Sequence, residues 1–254
     1  MKSKNVFTLA FIALNCLATL RAKAQTSEPS SPFKITADLV SSYIFRGSIA
    51  TAGPTPNFQP TLSYTKGKCE IGIWGSTDFT GSYKEFDPYL FVTSRQLKFG
   101  ITDYNWNFNK ANYFNYNNSV TGHRIEGTVG FLGSKTIPVS ITWNTMFYGF
   151  DKNSVDSIRQ AYSTYIELVY SKGATSLFFG FTPWSGLYNN YGVTAFDPKA
   201  GKKSFSVVNV GASFTKSLKI TEAFSLPLKT TLIINPSASY SRNDYVHLVF
   251  GLTF

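Results

Sequence analysis

Apolar and polar residues alternate with a period of two over most of the chain, the pattern of strands with one apolar and one polar face. Thr61-Leu62-Ser63-Tyr64, Ser140-Ile141-Thr142-Trp143 and Thr164-Tyr165-Ile166-Glu167-Leu168 are clear instances. The alternation predicts twelve strands, near 34–46, 57–66, 68–77, 84–95, 97–107, 122–132, 137–148, 160–171, 174–182, 204–217, 226–236 and 244–254. The connections alternate in length. Tyr64–Lys68, Gly133-Ser134-Lys135 and Ser171-Lys172-Gly173 are tight polar turns, whereas Phe108–Thr121 and Pro183–Lys203 are long and rich in Asn and aromatics. Short turns at one end and long loops at the other are the pattern of membrane-spanning β-barrels. The expected fold is therefore all-β: a closed antiparallel transmembrane barrel of about twelve strands, with ten or fourteen also compatible.

Composition agrees. Aromatics reach 17% while charged residues are 15%, well below the roughly 25% usual in soluble domains. Past the N-terminus no segment offers the ~20 apolar residues of a spanning helix. At the N-terminus, Lys2 and Lys4 precede an apolar run from Val6 to about Leu20, and Ala22-Lys23-Ala24 fits a small-x-small cleavage site. Residues 1–24 thus read as a secretory signal peptide, 25–32 as a polar Pro/Ser-rich disordered lead-in, and 33–254 as the barrel. Cleavage would remove Cys16 and leave Cys69 without an intramolecular partner. Four of the 24 basic residues (Lys2, Lys4, Arg21, Lys23) precede position 25, leaving 20 against 14 acidic residues, a charge of +6. Export and the lack of a Lys/Arg tract argue against nucleic acid as a partner.

Strand parity assigns side chains to the two faces, because a lipid-facing surface must be apolar. Ala37, Leu39, Tyr43 and Phe45 fall on the outward parity of the first strand. Ile71, Ile73, Phe86, Pro88, Leu90 and Val92 do so further on. The opposite parity carries the charges expected in the lumen: Asp38, Arg46, Glu70, Glu85, Asp87, Arg124, Glu126, Glu167 and Lys229. Six carboxylates against three bases predict a net negative lumen, with Arg46 and Arg124 each beside a carboxylate. Surplus lysines such as Lys66, Lys68, Lys172, Lys202 and Lys203 belong to turns and loops. Asp103 breaks the pattern, since alternation from Phe99 and Ile101 turns it outward. A bulge or a position at the water interface would account for it. In the last strand Val246, Leu248, Phe250, Leu252 and Phe254 share one parity and the stripe ends on an aromatic. This resembles the signal read by outer-membrane barrel assembly machinery.

The case for catalysis is weak. Only His123 and His247 are present, one at a loop edge and one on the inward parity, and nothing in the spacing sets either beside Ser41 or Ser42 as a serine hydrolase would require. No His/Cys/Asp spacing resembles a zinc site, and Asp151 and Asp156 read as solvated loop carboxylates rather than a calcium site. No catalytic, metal-binding or cofactor-binding residue, and no cofactor, is expected.

Several segments are similar to those of a family of exported bacterial proteins described as porins of the TorF type, a conserved domain of unknown function. They are Ala37-Asp38-Leu39-Val40-Ser41-Ser42-Tyr43-Ile44-Phe45-Arg46-Gly47, Gln59-Pro60-Thr61-Leu62-Ser63-Tyr64, Ile73-Trp74-Gly75-Ser76, Glu85-Phe86-Asp87-Pro88-Tyr89, Gly100-Ile101-Thr102-Asp103-Tyr104, and Tyr165-Ile166-Glu167-Leu168 with Tyr170. Phe86 and Pro88 stand where smaller aliphatic residues are expected, and Pro88 removes one ladder donor. The resemblance implies a pore in the bacterial outer membrane, with lipid, the assembly machinery and small solutes or ions as partners. It names no substrate, and the oligomeric state stays open. The sequence leaves three functions: a narrow passive pore for small polar solutes or ions, a non-conducting anchoring barrel with a filled lumen, and a lipid-acting barrel enzyme.

Overall fold

A computed structural model describes residues 31–106, 113–152, 159–189, 205–238 and 245–254. The signal peptide expected at 1–24 and nearly all of the lead-in lie outside them. So do Asp156, Lys202 and Lys203. Fourteen strands are defined: β1 (Phe33–Val40), β2 (Ile44–Phe45), β3 (Ser48–Ile49), β4 (Asn57–Lys66), β5 (Cys69–Asp78), β6 (Lys84–Ser94), β7 (Leu97–Asn105), β8 (His123–Phe131), β9 (Val139–Gly149), β10 (Thr164–Lys172), β11 (Thr175–Thr182), β12 (Ser206–Thr221), β13 (Phe224–Ile234) and β14 (Val246–Thr253). Twelve of them form a closed antiparallel barrel in sequence order, β1 meeting β14, while β2 and β3 pair separately as a two-stranded hairpin.

The wall obeys the alternation that predicts it. In β7, Leu97, Phe99 and Ile101 are exposed on the outside while Thr102 is buried within. In β4 the outward positions are Phe58 and Leu62 and the inward ones Asn57, Gln59 and Ser63. Two bulges re-aim side chains. The β8–β9 register shifts between Ile125 and Glu126. The β11–β12 register shifts between Gly180 and Phe181, so that both Val208 and Asn209 are buried. Pro88 has the consequence expected of it. The β6–β7 ladder is interrupted between Tyr89–Thr102 and a bridge at Glu85–Trp106, and within the gap the Asn105 amide donates to the Asp87 carboxylate at 3.0 Å.

The first strand corrects the sequence reading. It ends at Val40, not at 46. The chain bends at Ser41 and Ser42, and residues 44–49 fold into the lumen as the β2–β3 hairpin. Arg46 (φ 50°) and Gly47 (φ 87°) make its turn. Tyr43 and Phe45, expected on the outside, are therefore interior: Tyr43 is buried against Trp74 and Tyr83, and Phe45 against Tyr104, Trp106 and Tyr188. An apolar side chain satisfies either environment, so parity alone cannot distinguish a lipid-facing strand from a plug.

Because β1 leaves the wall early, the β1–β14 seam is short. Its registered pairs are Asp38–Thr253, Leu39–Leu252 and Val40–Gly251. Ala37 and Phe254 exchange backbone hydrogen bonds at one end (3.3 and 2.9 Å), and the Ser41 amide donates to Phe250 O (2.8 Å) at the other. From Val246 to Val249, β13 is the only strand in register with β14 among the described residues.

Candidate functional site

The interior of the barrel, on the long-loop side, is where the polar side chains of the inward parity meet the hairpin. β8 presents Glu126, 1% exposed, and the hairpin turn places the Arg46 guanidinium against it as a planar fork: Nη1 to Oε2 at 2.6 Å and Nη2 to Oε1 at 2.7 Å. Two further hydroxyls donate to the same carboxylate, Tyr104 at 3.1 Å and Tyr188 at 3.2 Å. Arg46 Nη1 also donates to the Tyr188 oxygen. The rings of Phe45, Tyr165 and Tyr188 lie 4.8, 4.7 and 5.0 Å from the guanidinium carbon. A buried charge needs a partner and hydrogen bonds, and a guanidinium accepts aromatic faces above and below its plane. Both requirements are met here by β2, β7, β8, β10 and the segment after β11 together. Around this pair Met146, Tyr165, Tyr188 and Val208 form a buried apolar cluster with Phe45, Tyr104, Trp106 and Leu187 packed on it.

Two cavities flank the hairpin. One lies toward the long loops and is lined by Tyr43, Phe45, Arg46, Ser48, Tyr83, Trp106 and Tyr188. The other lies toward the short turns and is lined by Ile44, Arg46, Gly47, Glu167, Asn209, Ser213, Lys229 and Thr231. Arg46 borders both. The hairpin is held on its far side by Asn235, whose Nδ2 donates to Gly47 O at 3.1 Å and Ser48 Oγ at 3.3 Å. Gly47 rests directly on the β12 bulge.

The remaining charges of the inward parity are distributed along the lumen. Asp38 accepts from Thr253 Oγ1 at 2.6 Å across the seam. Glu70 accepts from Tyr89 (2.9 Å) and Glu85 from Tyr83 (2.5 Å). Glu167 accepts from Tyr165 and from Asn209 Nδ2 (3.1 Å). Lys229 faces Glu167 across the cavity toward the short turns. Arg46 has the carboxylate partner expected of it. Arg124 lies over Trp106 (4.0 Å) and Phe150 (4.9 Å), within electrostatic reach of the Asp151 carboxylate. Sequence reasoning missed Lys98, which shares the inward parity in β7 and lies 3.6 Å from the centre of the Phe91 ring. The parity that places it inward was visible in the alternation of Leu97, Phe99 and Ile101.

Asp103 sits in an unbroken β7–β8 register opposite Ile125, so no bulge turns it inward. It is outward and covered. Tyr113 and Tyr116, before β8, lie against this part of the wall. His123, fully buried, contacts Asp103 through Nδ1 at 2.8 Å and the Tyr113 carbonyl through Nε2. Tyr116 stacks on the ring at 4.1 Å and donates to Asp103 at 2.8 Å. Burial and the adjoining carboxylate hold the Tyr116 hydroxyl well above its ordinary pKa. In the next long loop burial raises the Asp151 carboxyl above the usual range, although the Ser163 amide (2.9 Å) and hydroxyl both donate to it. Among the described residues no cluster of three His, Cys, Asp or Glu side chains is arranged to hold a metal ion.

The fold and interior define a closed twelve-stranded antiparallel β-barrel with a polar lumen and an internal hairpin. No family model matches the chain, and no curated protein is significantly similar to it in sequence.

Proposed function

We propose that this protein is an outer-membrane channel of narrow bore, passing small polar solutes or ions, with its conductance set by the β2–β3 hairpin. The observation that carries this reading is the pair of cavities, one largely aromatic and one polar, meeting at Arg46 inside a closed barrel. The outer wall supports a membrane setting. Ile35, Leu62, Ile71, Leu90, Phe99, Ile101, Val129, Trp143, Leu177, Phe214, Leu248 and Phe250 are all exposed on it, an apolar area far beyond what soluble monomers leave in water. Closing the sheet removes free edges along most of the wall, as lipid demands. The resemblance to TorF-type porins points to the same class.

A second reading is favoured by one observation. The cluster of Met146, Tyr165, Tyr188 and Val208 packs against the hairpin as a true core, which suits a sealed barrel used for anchoring. Refolded protein in planar bilayers separates the two. The channel reading expects discrete conductance steps, larger when the hairpin is displaced by mutation. Silence in the wild type and in hairpin variants alike would leave the sealed barrel. Folded and boiled samples are expected to migrate differently on a detergent gel, and identical migration would count against a membrane barrel.

A further inference from the structure

The wall side of the Arg46 contact is a complete recognition site in its own right. Glu126 offers two carboxylate oxygens in the geometry of a planar fork, and Tyr104, Tyr165 and Tyr188 supply hydroxyls and ring faces around it. Nothing in that set belongs to the hairpin. A point-like ammonium would use only part of it, whereas a guanidinium uses all of it. Both cavities border Arg46, the group that fills this position, so its withdrawal opens the position to the lumen on either side.

The hairpin, for its part, has somewhere else to go. Arg46 holds a left-handed backbone conformation (φ 50°) that non-glycine residues adopt at a cost, so its place depends on the contacts its side chain makes. Next to it, among the described residues, β14 pairs on one side only from Val246 to Val249. The β1–β14 register stops at Val40–Gly251. Continued unchanged, it lays Tyr43 opposite Leu248 and Phe45 opposite Val246, all on the outward parity, which is the long first strand the alternation predicts.

We propose that Glu126, Tyr104, Tyr165 and Tyr188 form a binding site for small solutes bearing a guanidinium group, that Arg46 occupies it as a tethered ligand, and that a free solute of this class displaces the hairpin. The proposal rests on the channel reading for its consequence but not for the site itself. Displacement frees residues 41–46 to extend β1 along β14, which opens the lumen and lengthens the seam together.

The test uses methylguanidinium and methylammonium as probes of the refolded full chain. In detergent, Arg46→Ala vacates the site. Calorimetry is expected to give binding of methylguanidinium roughly tenfold or more tighter than methylammonium, the worth of one charge-assisted hydrogen bond. Adding Glu126→Gln to Arg46→Ala should remove about that factor. Arg46→Lys, which keeps a charge but not the fork, serves if the alanine variant does not refold. Equal binding of the two probes, or no effect of Glu126→Gln, overturns the site. In bilayers, wild-type conductance should rise severalfold with methylguanidinium and not with methylammonium. A wild type unmoved by methylguanidinium at concentrations well above both those that saturate the Arg46→Ala site and the millimolar range of a short tether overturns the displacement. Variants that conduct without discriminating the probes sink the site and leave the channel. Discrimination in detergent with silence in every bilayer keeps the site and sinks the channel.

Discussion

Gly47→Ala isolates the seating of the hairpin, and Gly67→Ala is its built-in control. Both glycines have positive φ, 87° and 61°. An alanine in that region costs roughly 1–2 kcal/mol at either position. The surroundings differ. A Cβ on Gly67 meets nothing within 4 Å, whereas one on Gly47 would lie 1.9 Å from Val208 O. That oxygen belongs to the backbone of the β12 bulge and cannot rotate away. Relief requires the hairpin to lift, which breaks the Asn235 bond to Gly47 O (3.1 Å) and pulls Arg46 from Glu126. Stranding a buried carboxylate costs about 3–5 kcal/mol, and this caps the penalty because the hairpin can leave entirely. Gly67→Ala should therefore lose about 1–2 kcal/mol and Gly47→Ala that plus up to about 3–5. Urea unfolding in phospholipid vesicles, followed by tryptophan fluorescence, measures both. Conductance should rise for Gly47→Ala alone. Equal losses for the two variants, with unchanged conductance, would refute the account of how the hairpin is seated.

Three further outcomes are expected. Deleting Phe254 removes the backbone pair with Ala37, and Phe250→Asp sets a charge on the apolar face; both should lower outer-membrane levels in fractionated cells, and normal insertion of the two would mean the terminal stripe is incidental. The lumen carries Asp38, Glu70, Glu85, Asp87, Glu126 and Glu167 against Arg46, Lys98, Arg124 and Lys229, so reversal potentials in a salt gradient should show cation preference, reduced in Glu70→Gln with Glu167→Gln; anion preference refutes the assignment. Burial raises the Asp151 pKa in the folded protein above its unfolded value near 3.9, so the folded state holds the proton more tightly and this group's contribution declines as pH rises through the raised value. The urea midpoint of wild type should accordingly fall relative to Asp151→Asn as pH rises above about 4, and parallel curves would remove Asp151 as the cause.

The barrel was legible because its wall obeys one local rule repeated twelve times. β4 and β6 follow the expected boundaries to within a residue, and even the ladder gap beside Pro88 was readable. The hairpin was not, for a physical reason. Tyr43 and Phe45 are apolar whether they meet lipid or a packed lumen, and the choice is made by Glu126, distant in sequence. Arg46-Gly47 held the one local hint, a glycine after a charged residue within an apolar run. Asp103 was correctly recognised as an exception, but its cover comes from Tyr116 and His123, whose placement depends on a loop that no periodicity describes.

The hairpin is anchored at both ends by neighbouring strands that pair with each other, Val40 opposite Asn57. It can be dislodged but never lost, and it searches only the volume around its own mouth. A group held in this way faces its site at an effective concentration in the millimolar range, typical of short flexible tethers. A freely diffusing competitor must reach comparable abundance to prevail. The geometry therefore tunes the barrel to respond to plentiful solutes and to ignore trace ones.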